Sequence, residues 1–144
     1  MDKITAEDLT DEHVSQLCQA AAKFRENSYS PFSHFRVGAA VLTSDGSIYG
    51  GTNVENSSYG LTICAERVAA CSAVADGSVD PDSAPIVAVG IIAEGGVAPC
   101  GACRQFLNEL GPEAIIFLAS PDSNEVKQLS LSDLLPMSFN LETD

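Results

Sequence analysis

The sequence predicts a layered α/β domain in which helices cover the faces of a mixed β-sheet. Segments with helical spacing alternate with short apolar runs along the chain. Two such runs flank Ser44-Asp45-Gly46-Ser47 and read as an early antiparallel hairpin, so the sheet is not wholly parallel. A third run, residues 86–93, is apolar throughout, the pattern of a central strand buried on both faces.

Taken in order, residues 10–26 form the first expected helix, with Val14, Leu17, Cys18, Ala21 and Ala22 as its apolar stripe and Phe24 near its end. Pro31 and several serines make 27–33 a loop. Residues 35–42 and 48–54 are the hairpin strands, and Gly50-Gly51 marks a point where the second is weakened or another backbone passes closely. A polar stretch, 55–60, leads to a helix over 63–75 with Thr62 as its cap and Ala65, Ala69, Ala70 and Ala73 supplying helix propensity. Cys71 stands seven residues after Cys64, a shared helical face that predicts a small core residue. Glu94-Gly95-Gly96 and Pro99 introduce a helix over 101–110, with Cys103, Phe106, Leu107 and Leu110 on one side and Gly111-Pro112 stopping it. Short strands at 114–119 and 126–129 and a short helix at 131–135 complete the pattern. No internal repeat, long linker or low-complexity block divides residues 1–144, so they read as one domain.

Twenty Asp+Glu against seven Lys+Arg give a formal net charge of −13. A phosphate-backbone binder needs a basic surface, so nucleic acid is not an expected partner, and a neutral ligand is easier to accommodate than a highly phosphorylated one. No apolar run approaches the length of a membrane span, and the acidic first eight residues lack the apolar segment of a secretory signal. A cytoplasmic location is therefore expected, where five cysteines stay reduced and available for metal.

The chemistry centres on Cys64-Ala65-Glu66 and Pro99-Cys100-Gly101-Ala102-Cys103. Cys64, Cys100 and Cys103 have the character of three zinc ligands from two helix starts, where free backbone N–H groups favour thiolates. Three protein ligands leave a fourth tetrahedral position for water, unlike a closed structural site. Glu66, two residues from Cys64, is placed to accept and return protons beside that water. Arg67 and Arg104 can donate hydrogen bonds to ligand sulfurs or neighbouring carbonyls, with surface salt-bridging as the ordinary alternative. A thioredoxin-like dithiol explains Cys100 and Cys103 but has no need of Cys64-Ala65-Glu66. A structural zinc site needs a fourth ligand and gives Glu66 no work, and neither His13 nor His34 is a convincing candidate for that ligand. The pattern is the three-cysteine version of the zinc-deaminase signature.

With these pieces, Phe35-Arg36-Val37-Gly38-Ala39-Ala40 and Asn53-Val54-Glu55-Asn56, the chain closely resembles the small homotetrameric cytidine deaminases across nearly its whole length. The resemblance implies a three-layer α/β/α sandwich with a mixed five-stranded sheet. It also implies zinc-dependent hydrolysis of cytidine or deoxycytidine in pyrimidine salvage, in a homotetramer with shared active sites. On it, Asn53 and Glu55 hold ribose hydroxyls, Phe35 contacts the pyrimidine, the backbone around Ala65 and Cys100 orients the base, and Phe139 packs over a neighbouring site. Without it, Asn53 and Glu55 are equally turn-stabilising residues, and Phe35 and Phe139 are core. The competing readings are a deaminase of a cytosine-nucleoside antibiotic resembling blasticidin S, and a non-enzymatic zinc-stabilised interaction domain. The Asn-Val-Glu-Asn segment favours ribose recognition over the antibiotic.

Overall fold

A computed structural model describes residues 3–143. The first helix, α1 (Asp11–Arg25), starts at Thr10, whose hydroxyl accepts the His13 backbone N–H at 3.2 Å while the Thr10 N–H donates to His13 Nδ1 at 3.0 Å. Two backbone donors at the helix start are thereby satisfied. Strands β1 (Val37–Thr43) and β2 (Ile48–Thr52) form the hairpin, followed by α2 (Ala65–Ala75), β3 (Ile86–Ala93), α3 (Gly101–Leu110), β4 (Ile115–Ala119), β5 (Val126–Ser130) and a last turn of helix, α4 (Leu131–Leu134). Two 3₁₀ turns, Ala6–Asp8 and Tyr59–Leu61, sit in the connections.

The sheet runs β2-β1-β3-β4-β5, with only the β3–β4 pair parallel. Alternation along the strands splits the core into two. Ala39, Val41, Val89, Ile91, Ile116 and Leu118 face α2 and α3, where Ala65, Ala69, Ala73 and Leu107 meet them. Ala40, Leu42, Ala88, Ile92 and Phe117 face α1 and meet Leu17 and Ala21. This is the three-layer α/β/α arrangement with a mixed five-stranded sheet that the resemblance implied. β3 is buried along all eight residues, and β5, mostly exposed, closes one edge.

Two element boundaries and the burial of one residue differ from the sequence expectation, each for a local reason. β1 begins at Val37 rather than Phe35, because the Asn53 side chain takes the Phe35 carbonyl and the Val37 N–H in place of a ladder. Helix α2 begins at Ala65 with Cys64 as its cap, not Thr62, because Ile63 is bridged to Val54 by two backbone bonds of 2.9 Å and is held extended. Cys71 is exposed rather than in the core. Since Cys64 is itself extended, counting seven residues from it does not follow a helical face; the buried face runs through Ala65, Ala69, Ala70 and Ala73.

Close packing of helix on sheet depends on missing side chains. A Cβ on Gly51 would lie 2.5 Å from Ala69 N and 2.7 Å from Ala65 O, and one on Gly38 would lie 1.9 Å from Ala21 O. Gly51 is thus the close passage of backbone anticipated for that strand and lets the first turns of α2 lie directly on β2, while Gly50 makes room for the Phe24 ring. We expect Gly51→Ala to lower unfolding free energy in a denaturant titration by about 3 kcal/mol, the scale of core overpacking. Gly60→Ala, whose added methyl meets nothing within 4 Å, should shift it by less than about 0.5 kcal/mol.

Candidate catalytic metal centre

Cys64 and Cys100 are the N-cap residues of α2 and α3, both with extended backbone, and Cys103 lies one turn into α3, fully buried. The three sulfurs lie within 4.8 Å of one another, with Cys64 Sγ 4.0 Å from Cys100 Sγ. Metal–sulfur bonds of about 2.3 Å at a tetrahedral centre put sulfurs about 3.8 Å apart, so the cluster matches a zinc site. The donor set fits as well: soft sulfurs at two helix starts, stabilised as thiolates by the helix ends. Hydrogen bonding from Cys103 and then Arg67 holds the Cys64 thiol down at about 5, despite partial burial. Cys103, whose thiol donates a hydrogen bond to the Cys64 sulfur and is buried near Glu66, is pushed up.

The arginines divide between sulfur and backbone. Arg67 donates from one terminal nitrogen to Cys64 Sγ at 3.4 Å, and its buried Nε has no hydrogen-bond partner among the described residues. A positive group is thus committed to the sulfur cluster. Arg104 instead donates to the Pro99 carbonyl at 2.7 Å and the Leu134 carbonyl at 2.9 Å, pinning the approach to Cys100 against the C-terminal segment. Glu66 is 5% exposed, and its burial pushes the carboxyl above the ordinary range.

Opposite the cluster, residues 53–55 form a short extended rung. Tyr29 N–H donates to the Asn53 carbonyl at 3.1 Å and Glu55 N–H to the Tyr29 carbonyl at 2.8 Å, while Val54 is bridged to Ile63 on its other side. Extended backbone puts Asn53 and Glu55 on one face. Asn53 is buried: its Oδ1 accepts from Ser28 Oγ at 2.5 Å and Val37 N at 3.1 Å, and its Nδ2 donates to the Phe35 carbonyl at 2.7 Å. Glu55 Oε1 accepts the backbone N–H groups of Phe32 at 2.9 Å and Ser33 at 3.2 Å, and Oε2 accepts the Ser33 hydroxyl. These bonds, Ser33's hydroxyl foremost, hold the Glu55 carboxyl below its ordinary range.

A cavity of about 300 Å³ joins these parts, lined by Phe35, Asn53, Glu55, Cys64, Ala65, Glu66 and Cys100 among others. The fold thus gathers most of the residues singled out in the sequence around one small space. Phe139 is not among the lining residues; it is exposed near α3, where its carbonyl accepts from Gln105 at 3.3 Å. Ser33, Ile91, Val97 and Ala98 also line the cavity without a clear sequence signal for a site role, as does Thr62, expected only as a helix cap. Ser33 carried a weak signal in its serine- and proline-containing loop, whereas Ile91 is indistinguishable in sequence from the rest of an apolar strand.

Three converging sulfurs with a buried carboxylate beside them, at paired helix starts of an α/β/α sandwich, define a hydrolytic zinc centre. Residues 11–119 match the cytidine and deoxycytidylate deaminase zinc-binding region. The chain is 41% identical over 128 residues to a cytidine deaminase of Halalkalibacterium halodurans, covering 88% of this chain and 93% of that one. It is 42% identical over 134 residues to a probable cytidine deaminase of Dictyostelium discoideum, covering 93% and 88% respectively. The crystal structure of cytidine deaminase from Burkholderia pseudomallei matches with a TM-score of 0.81 at 43% identity, over 91% of this chain and 100% of that one. The chain belongs to the cytidine deaminase family and is a zinc-dependent hydrolase.

Because Arg67 is the cation that touches a ligand sulfur, Arg67→Gln should weaken zinc binding about tenfold in competition with a chromophoric chelator. Unchanged affinity would show that the contact at Cys64 does not tune the centre.

Proposed function

We propose that this chain hydrolyses cytidine and deoxycytidine to uridine and deoxyuridine, releasing ammonia, in pyrimidine salvage. The observation that carries the reading is the one cavity lined by Cys64 and Cys100 of the sulfur cluster, the buried Glu66 and the Phe35–Asn53–Glu55 wall. Its volume of about 300 Å³ suits a small ligand. Cys64, Cys100 and Cys103 would hold zinc, which when bound would supply acidification of a water molecule.

The remaining steps belong to the chain's own groups. Phe35 offers a flat apolar face to the pyrimidine, and the backbone around Ala65 and Cys100 orients the ring. Asn53 and Glu55 face the sugar, Glu55 as acceptor from its hydroxyls. Glu66, whose burial raises its affinity for a proton, is suited to take one up and return it. It takes a proton from the attacking water and delivers it to ring N3 as the water oxygen bonds to C4. A second proton passes by way of Glu66 to the amino nitrogen, the C4–N bond breaks and ammonia leaves.

A homotetramer with shared sites is part of the same proposal. Cys71, Val74, Phe106 and Leu110 line a largely apolar groove of about 530 Å³ between α2 and α3, and Phe139 and Leu141 stand exposed near the chain end. Apolar surface of this kind supports burial against further copies, with Phe139 reaching a neighbour's cavity. Light scattering should find four chains per particle; a fully active monomer would contradict the assembly.

Removing the proton carrier gives the sharpest test of mechanism. Glu66→Gln should retain zinc by elemental analysis while kcat for cytidine, followed by the ultraviolet change to uridine, falls at least about 100-fold. Near-normal turnover by the zinc-loaded variant would exclude this role.

A further inference from the structure

We infer that Ser33 is a positioning residue that couples the sugar end of the nucleoside site to its base end. The inference rests on the reading of Glu55 as the sugar contact and adds the group that aims it. Ser33 lies at the edge of the cavity that holds Phe35, Glu55 and Glu66. Its hydroxyl donates to Glu55 Oε2 and accepts the Phe35 backbone N–H at 3.0 Å, and its own backbone N–H donates to Glu55 Oε1 at 3.2 Å. One side chain therefore links the carboxylate facing the sugar to the backbone of the aromatic facing the base.

The surrounding geometry leaves this link few substitutes. His34, between the two residues, has φ 59, a left-handed conformation that folds the chain back so that Ser33 Oγ reaches the Phe35 N–H; its own N–H donates to the Ser30 carbonyl at 2.9 Å. The Phe35 carbonyl is held on the other side by Asn53 Nδ2 at 2.7 Å. Both polar groups of the Phe35 backbone are thus tied to the sugar wall, one through Ser33 and one directly. Two backbone N–H groups already restrain Glu55 Oε1, so the Ser33 hydroxyl is what sets the rotation of the carboxylate and the direction of Oε2. Ser33 and Phe35 are exposed, so deleting the hydroxyl leaves groups that water can satisfy; the loss falls on orientation rather than on folding.

The test compares cytidine with 2′,3′-dideoxycytidine, which lacks both ring hydroxyls, in zinc-loaded wild type, Ser33→Ala, Ser33→Thr and Glu55→Gln. Ser33→Ala should raise KM for cytidine about tenfold with kcat changed less than about threefold, and alter KM for the dideoxy compound less than about twofold. Ser33→Thr, which keeps the hydroxyl, should restore cytidine KM, and Ser33→Ala should add nothing in a Glu55→Gln background. Equal losses on both nucleosides, a loss confined to kcat, or no change from Ser33→Ala would overturn the inference. If Glu55→Gln itself treats the two nucleosides alike, the sugar-contact reading fails and the inference with it; if Glu55→Gln discriminates and Ser33→Ala does not, the inference alone fails.

Discussion

Three sulfur atoms have to meet at one point, yet they come from two helices separated by a whole strand. Thiolates repel one another, so their convergence needs positive charge from several sources. The starts of α2 and α3 supply partial charges, the Arg67 guanidinium supplies a full one, and the zinc dication that the donor set fits supplies the largest. Much of the packing nearby serves this meeting. Gly51 admits α2 onto the sheet at the turn that follows Cys64, and Arg104 ties the Pro99 carbonyl to the chain end so that Cys100 enters α3 at a set angle.

The two sides of the cavity are built on different principles. The metal side stands on regular helices laid against buried strands, where positions are set by close contact and tolerate little change. The other side is a loop, 28–35, and an extended rung, 53–55, held by side chains bonding to backbone. There Asn53 closes the start of β1 and also lines the cavity, so its structural bonds are compatible with the recognition role proposed for the same side chain. This arrangement allows specificity to reside in a few polar atoms while the metal cluster stays on a rigid frame.

How much of this was legible in the sequence follows from how local each signal is. β3 and α1 carry their own periodicity, so residues 86–93 and 10–26 read within a residue or so of the observed elements. The metal ligands were legible because cysteine type and spacing are chemical facts independent of packing. The start of α2 is not legible because Ile63 is held extended by Val54, a contact between segments that no local pattern encodes, and the exposure of Cys71 follows from a buried helix face that starts at Ala65 rather than Cys64. Ser33 was passed over for the same reason: its importance lies in Glu55, twenty-two residues away. Arg104's carbonyl partners illustrate a middle case, where the residue was singled out and only the fold could say which of its two expected acceptors it takes.

X-ray absorption at the zinc edge of the purified, metal-loaded protein addresses the sulfur cluster directly. Three sulfur neighbours at about 2.3 Å and one lighter oxygen neighbour are the expected shell. A fourth sulfur, a side-chain nitrogen in its place, or fewer than three sulfurs would mean that water has no open position at this centre or that Cys64, Cys100 and Cys103 do not act together.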